Sequence, residues 1–202
     1  DLVIYSPAVT DDNAELRAAR TRKIKIQSYP ENLGELTKKH FTIAVTGTHG
    51  KGTTTALISL ILIKAGLDPT VIIGTKLKEF GDSNFRQGKS KYLVIEADEY
   101  KSSFLNYWPK IIVLTCLDKD HLDYFKDLPD IQSVYIELAK KVPADGFIVT
   151  NVNNPNVSAV LENARVTILD YTSADTIGLR LLLPGKHNIE NAQVALTVGG
   201  VL

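Results

Sequence analysis

The chain has 202 residues, 44% of them hydrophobic, enough to bury one substantial core: one main domain with an appendage. Lys plus Arg and Asp plus Glu both number 23, so no global charge draws the protein to nucleic acid or to a membrane surface, and any anionic ligand must be recognised locally. The single Cys116 excludes an internal disulfide and fits a reducing, cytoplasmic setting, while apolar runs such as 56–63 are too short to span a bilayer.

No charged-then-apolar leader opens the chain, so secretion is unsupported, and Asp1 in place of Met suggests a piece of a longer protein. Leu2 to Ser6 reads as a strand broken by Pro7, and Asn13 is placed to cap a helix through Ala14, Leu16 and Ala18. The basic residues Arg17, Arg20, Arg22, Lys23 and Lys25 read as a solvated helix face and turn. A short edge strand at 24–26 and a short helix at 31–39 follow. So few elements cannot bury a core alone, so residues 1–40 are expected to be the tail of another α/β domain plus a linker, and 41–202 the main domain.

From Phe41 onward strand and helix patterns alternate, predicting an α/β fold: a P-loop-type, mostly parallel sheet with helices on both faces. Strands are expected at 41–46, 70–73, 92–95, 111–115, 147–150, 166–169 and 179–183. Helices are expected at 56–65, 129–141, 155–162 and from Asn188 onward, and residues 81–90 read as a mobile polar loop.

The stretch Gly47-Thr48-His49-Gly50-Lys51-Gly52-Thr53-Thr54-Thr55 lies between a β-branched strand and an apolar helix, the context a phosphate cradle needs. Glycines let successive N–H groups turn inward, the helix N-terminus adds roughly half a positive charge, and Lys51 supplies a mobile cation. The general pattern is met imperfectly. Val45 stands where a first glycine belongs, and Gly52 stands where Ser or Thr should hold magnesium, leaving Thr53 or Thr54 to supply the hydroxyl. The plain alternative is a glycine-rich turn with an incidental lysine.

In an open parallel sheet, ligands sit beyond the carboxyl ends of the strands. Two further strands here end in Glu96, Asp98 and Glu99 and in Asp120-His121, and such a carboxylate and imidazole beside phosphates suit the shell of one or two Mg²⁺ ions. Read alone, the acidic cluster is a polar strand exit and His121 a structural histidine. Asn188 and Asn191, three apart on the last helix, suit an adenine edge, or else simple helix capping.

These motifs, in this order, resemble the Mur ligases of peptidoglycan synthesis: Thr46 through Lys51 with following threonines, Glu96-Ala97-Asp98-Glu99-Tyr100, Thr115 through Asp123, and Gly185-Lys186-His187-Asn188 with Asn191. Ser6-Pro7-Ala8-Val9 with Asp12 to Glu15 resembles the end of that family's first domain. The resemblance points to the branch that adds L-alanine to UDP-N-acetylmuramate and the related branch that recycles murein peptides, with folylpolyglutamate synthetases as more distant relatives; a non-catalytic nucleotide-binding module is the reading from another class.

What the resemblance implies is ATP- and Mg²⁺-dependent activation of a substrate carboxylate as an acyl phosphate, then amide formation with an amino acid. The partners would be a UDP-sugar substrate and an amino acid, with no nucleic acid and no membrane. Carried over by position, Gly47 to Thr54 would cradle the phosphates, with Lys51 on the β- and γ-phosphates. Thr53 with Glu96 would hold Mg²⁺, His121 a second metal with Asp120 orienting it, and Asn188 and Asn191 would face adenine. Three positions depart from the pattern. Gly52 replaces the usual Thr, as in folylpolyglutamate synthetases; Cys116 replaces the usual Asn; and Lys101 the usual Asp. Tyr135 stands near the place where many relatives carry a carbamylated lysine. No N-terminal UDP-sugar motif and no C-terminal amino-acid-binding domain are found, so this piece is expected to bind ATP weakly or not at all and not to ligate alone.

Overall fold

The computed structural model describes residues 1–181 and 184–202. At the N-terminus β1 (Leu2–Tyr5) and β2 (Lys25–Ser28) pair in parallel, Leu2 opposite Lys25, and α1 (Ala14–Thr21) joins them. Asn13 starts α1 by accepting from the backbone N–H groups of Glu15 and Leu16 at 2.9 and 3.2 Å. The next helix, α2 (Tyr29–Thr37), begins on a capping box in which Ser28 and Glu31 each accept the other's backbone N–H.

The main sheet is built from β3 (Phe41–Thr46), β4 (Thr70–Leu77), β5 (Ser83–Arg86), β6 (Tyr92–Glu96), β7 (Ile111–Leu114), β8 (Phe147–Thr150) and β9 (Thr167–Asp170), in the order β5-β4-β6-β3-β7-β8-β9. Every pairing is parallel except the β4–β5 hairpin. The helices are α3 (Lys51–Lys64), α4 (Leu128–Ala139), α5 (Ser158–Glu162) and α6 (Lys186–Gly200). Alternation along β3 divides the core in two. Ile43 and Val45 pack with Ile58 and Leu62 of α3 and Val194, Ala195 and Val198 of α6. Ala44 belongs to the opposite layer, with Ile131, Tyr135 and Leu138 of α4, Val160 of α5 and Leu33 of α2. The expected α/β sheet with helices on both faces is therefore the fold found. No described helix is long and apolar enough to cross a membrane.

Three expected elements differ. The helix after the glycine loop starts at Lys51, not at the apolar run from Ala56: Gly50 at φ +82° turns the chain into it and accepts the Thr54 N–H at 2.9 Å, while the polar side chains of this first stretch are accommodated by the Thr55 and Ser59 hydroxyls bonding back to the carbonyls of Lys51 and Thr55 at 2.8 and 2.7 Å. Residues 81–90 are not simply a loop: Ser83–Arg86 is β5. Asp68 ties that hairpin down, pairing with the Arg86 guanidinium at 2.5 Å and accepting from the Lys89 N–H at 2.9 Å, and this pairing holds its carboxyl below the usual range. No strand forms at 179–181, and the rest of that expected strand, Leu182 and Leu183, lies outside the described residues.

Candidate functional site

β3 occupies the middle of the sheet, and its neighbours β6 and β7 lie on opposite sides. The crevice beyond its carboxyl end is thus a switch point of the topology. The chain leaves β3 through Gly47 at φ +123° and enters α3 through Gly50 at φ +82°, conformations that glycine adopts without strain. Space makes the same demand: a Cβ on Gly47 would stand 2.7 Å from the Cys116 carbonyl oxygen, and one on Gly50 2.7 Å from Asn191 Oδ1. Gly50 is the N-cap and provides no capping side chain, so the N–H groups of the first turn of α3 are left for a ligand.

The segment after β7 holds this loop in shape. Thr48 donates its N–H to the Cys116 carbonyl at 3.0 Å, and its hydroxyl accepts the Asp118 N–H at 2.9 Å. The Thr115 hydroxyl donates to the His49 carbonyl at 2.6 Å. Beneath it Tyr171 donates its phenol to the Thr115 carbonyl at 3.3 Å, and burial pushes that phenol up to about 12.

Charge enters through Lys51, whose ammonium donates to the Gly47 carbonyl at 2.7 Å and pairs with Glu99 at 3.1 Å. Glu99 is only 2% exposed; loss of solvent raises its pKa, and the Lys51 charge offsets this in part. Glu96, at the end of β6, accepts the Gly74 N–H from β4 at 2.6 Å. His121 sits at φ +50°, its backbone N–H donating to Asp120 Oδ1 at 2.8 Å. Its Nε2 lies 4.0 Å from oxygens of Asp98, Glu99 and Asp120. Asp98, Glu99 and His121 can bring one ligand atom each within 4.8 Å of one another.

Lys51, Glu96, Asp98, Asp120 and His121 all line one cleft of about 710 Å³, closed on another side by Ser6, Pro7 and Tyr29 from the N-terminal segment. The other residues singled out from sequence are distributed differently. His49 is exposed, and Asn191 lines a separate 310 Å³ cavity with His49, Gly50, Cys116 and Tyr171. Asn188 is not among that cavity's lining and donates its amide to the Pro184 carbonyl at 2.9 Å. Thr54 is buried and donates its hydroxyl to Asn191 Oδ1 at 3.1 Å, whereas Thr53 is exposed. Gly52 turns its Cα toward Glu96, for a Cβ there would lie 3.6 Å from Glu96 Oε2. Tyr135 is core, under Thr46 and edge-on to Phe104 at 5.0 Å, so no lysine stands there. Sequence reading missed the Lys51–Glu99 pair and Thr75, whose hydroxyl oxygen lies 3.6 Å from the same point above Gly52. The absent hydroxyl at position 52 was the available signal.

A central strand running through a glycine-turned loop into an uncapped helix, within a mostly parallel sheet covered on both faces, makes this an α/β domain of the P-loop type. Residues 45–177 match the Mur ligase middle domain. The chain belongs to the Mur ligase family. It is 37% identical over 229 residues to a UDP-N-acetylmuramate--L-alanine ligase of Clostridium tetani, a match covering 100% of this chain and 50% of that protein. A ligase from Neisseria meningitides acting between UDP-N-acetylmuramate and L-alanyl-gamma-D-glutamyl-meso-diaminopimelate superposes with a TM-score of 0.86 at 27% identity, covering 100% of this chain and 74% of that one. The UDP-N-acetylmuramate-alanine ligase MurC of Thermotoga maritima does so with a TM-score of 0.78 at 26% identity, over 99% and 51%. The chain spans about half the length of the curated relatives it matches.

Proposed function

We infer that the chain is the ATP-binding part of a ligase that activates the carboxylate of UDP-N-acetylmuramate as an acyl phosphate and joins it to L-alanine. The observation that carries this reading is the cleft shared by Lys51, Glu96 and His121 at the carboxyl edge of the sheet. In it the first turn of α3 receives the phosphates, and Lys51 leaves Glu99 to neutralise the β- and γ-phosphates. In-line phosphoryl transfer needs position and charge more than covalent chemistry from the protein, and a preformed backbone cradle supplies position. Asn191 borders the cavity assigned to adenine, next to Cys116 and Tyr171. The family resemblance puts Asn188, one turn earlier, at the same base, whereas here its amide donates to the Pro184 carbonyl outside that cavity's lining.

The donors fit hard divalent cations: carboxylate oxygens of Asp98 and Glu99 gather with the His121 imidazole, and Glu96 stands apart from them beside Gly52, next to a cradle that a Cβ would fill. Bound Mg²⁺ would neutralise the charge that develops on the transferring phosphoryl group. Glu96 would hold one ion, with a hydroxyl that the family resemblance puts at Thr53, and His121 would hold a second beside Asp98 and Glu99. The clostridial relative at twice the length indicates that ligation takes more than these residues, so we expect the chain alone to bind ATP weakly and not to turn over.

Titration with ATP in the presence and absence of Mg²⁺ tests the reading. Binding strengthened by Mg²⁺, lost in Lys51→Ala and reduced to its metal-free level in His121→Ala, is the expected result. Metal-independent binding that ignores His121 would point to a nucleotide module without ligase chemistry.

A further inference from the structure

Gly52 leaves the loop without the hydroxyl that normally follows the lysine and holds the metal. Two of the remaining threonines on α3 are committed elsewhere, Thr54 donating to Asn191 and Thr55 to the Lys51 carbonyl. Thr53 and Thr75 are both exposed, so position decides between them: a helix turns about 100° per residue, which carries position 53 off the face that Gly52 turns to Glu96.

The space that a side chain at 52 would enter has an oxygen border. A Cβ built there lies 3.6 Å from Glu96 Oε2, 3.8 Å from Glu96 Oε1 and 3.6 Å from Thr75 Oγ1. One bond beyond that Cβ, where a threonine hydroxyl would stand, is the gap these oxygens share. Thr75 arrives there from β4, just past the point where Ile72 and Ile95 are in register with β6, and the Gly74 N–H fixes Glu96 beside it at 2.6 Å. A neutral hydroxyl and a carboxylate are hard oxygen donors of the kind Mg²⁺ takes beside phosphates.

We propose that Thr75 supplies the hydroxyl ligand for the nucleotide-bound divalent cation, standing in from the neighbouring strand for the side chain absent at Gly52. The cation ligand thereby moves from the phosphate loop to the end of β4, and Glu96 serves both strands. This rests on the nucleotide reading above, and the test separates the two.

Mn²⁺ binding to the chain saturated with ADP is followed by electron paramagnetic resonance, with ADP binding in chelator measured in parallel. Thr75→Val is expected to weaken Mn²⁺ on the order of tenfold while chelator-treated ADP binding stays unchanged. Thr75→Ser keeps the hydroxyl and should bind Mn²⁺ like the parent. Gly52→Thr added to Thr75→Val should restore binding, since its Cβ meets only ordinary contacts of 3.6 Å and more. Mn²⁺ binding by Thr75→Val equal to the parent, or Thr53→Ala losing what Thr75→Val was expected to lose, overturns the proposal. Metal-free ADP binding that survives Lys51→Ala would instead overturn the nucleotide site itself.

Discussion

Glu99 is the residue whose chemistry is most altered by its position. Its carboxyl is buried, and desolvation outweighs the Lys51 charge, so its folded pKa lies above the unfolded value of 4.5. The native state then binds more protons than the unfolded state as pH rises from that value toward the raised one. Stability from this group is therefore full below the unfolded pKa and is lost as pH rises through the folded pKa. Glu99→Gln removes the ionisation, and we expect its stability to be flat where the parent's declines. Urea unfolding of both proteins at steps from about pH 4 to about pH 8 checks this, and superimposable pH profiles would show Glu99 to be well solvated. Before ligand arrives, the same pair keeps Lys51 folded back on Gly47 and Glu99. Most groups of the cleft were legible as letters, because glycines, a lysine and strand-end acids each have a local signature. Their partnerships were not: Lys51 and Glu99 are 48 positions apart, and only the parallel register of β3 and β6 brings them together.

Among elements, the packing of α2 rests on one glycine. A Cβ on Gly34 would meet the backbone of Asn106, at 3.2 Å from its carbonyl carbon, in the 3-10 segment Tyr100–Asn106 that follows the acidic cluster. Alanine would gain about 1 kcal/mol in helix propensity, but forcing apart two packed backbones costs about 1–3 kcal/mol, so clash wins if the segment cannot move. Gly34→Ala should lower the urea midpoint, while Gly200→Ala, with nothing within 4 Å at the end of α6, should be neutral or slightly stabilising. Equal effects from the two would mean that α2 is not seated as described. Periodicity located nearly every helix and core strand, but it gave no sign of β5. That edge strand is polar and is fixed by Asp68, Arg86, Thr70 and Ser90, a side-chain-to-backbone network without a repeat for the eye to follow.

On the scale of the whole molecule, the alternation of strand and helix patterns predicted two covered faces, yet the order of strands could not be read from patterns that only report burial. It is this order that gives the molecule two unlike ends. At the carboxyl edge lie the glycine loop and the cleft; at the amino edge, just before β7, stands Trp108, 47% exposed, with the ammonium groups of Lys141 and Lys38 at 4.5 and 5.5 Å from its ring centre. It is the sole tryptophan of the chain, so its fluorescence reports on that edge alone. The β3 and β7 segments between the two ends are buried β-branched and aliphatic residues, packed too densely to deform gradually. ATP with Mg²⁺ should therefore leave Trp108 emission unchanged while slowing amide hydrogen exchange at 47–53, 74–75 and 116–121. A shift in Trp108 emission on nucleotide addition, absent in Lys51→Ala, would mean instead that the sheet transmits ligand binding from one edge to the other.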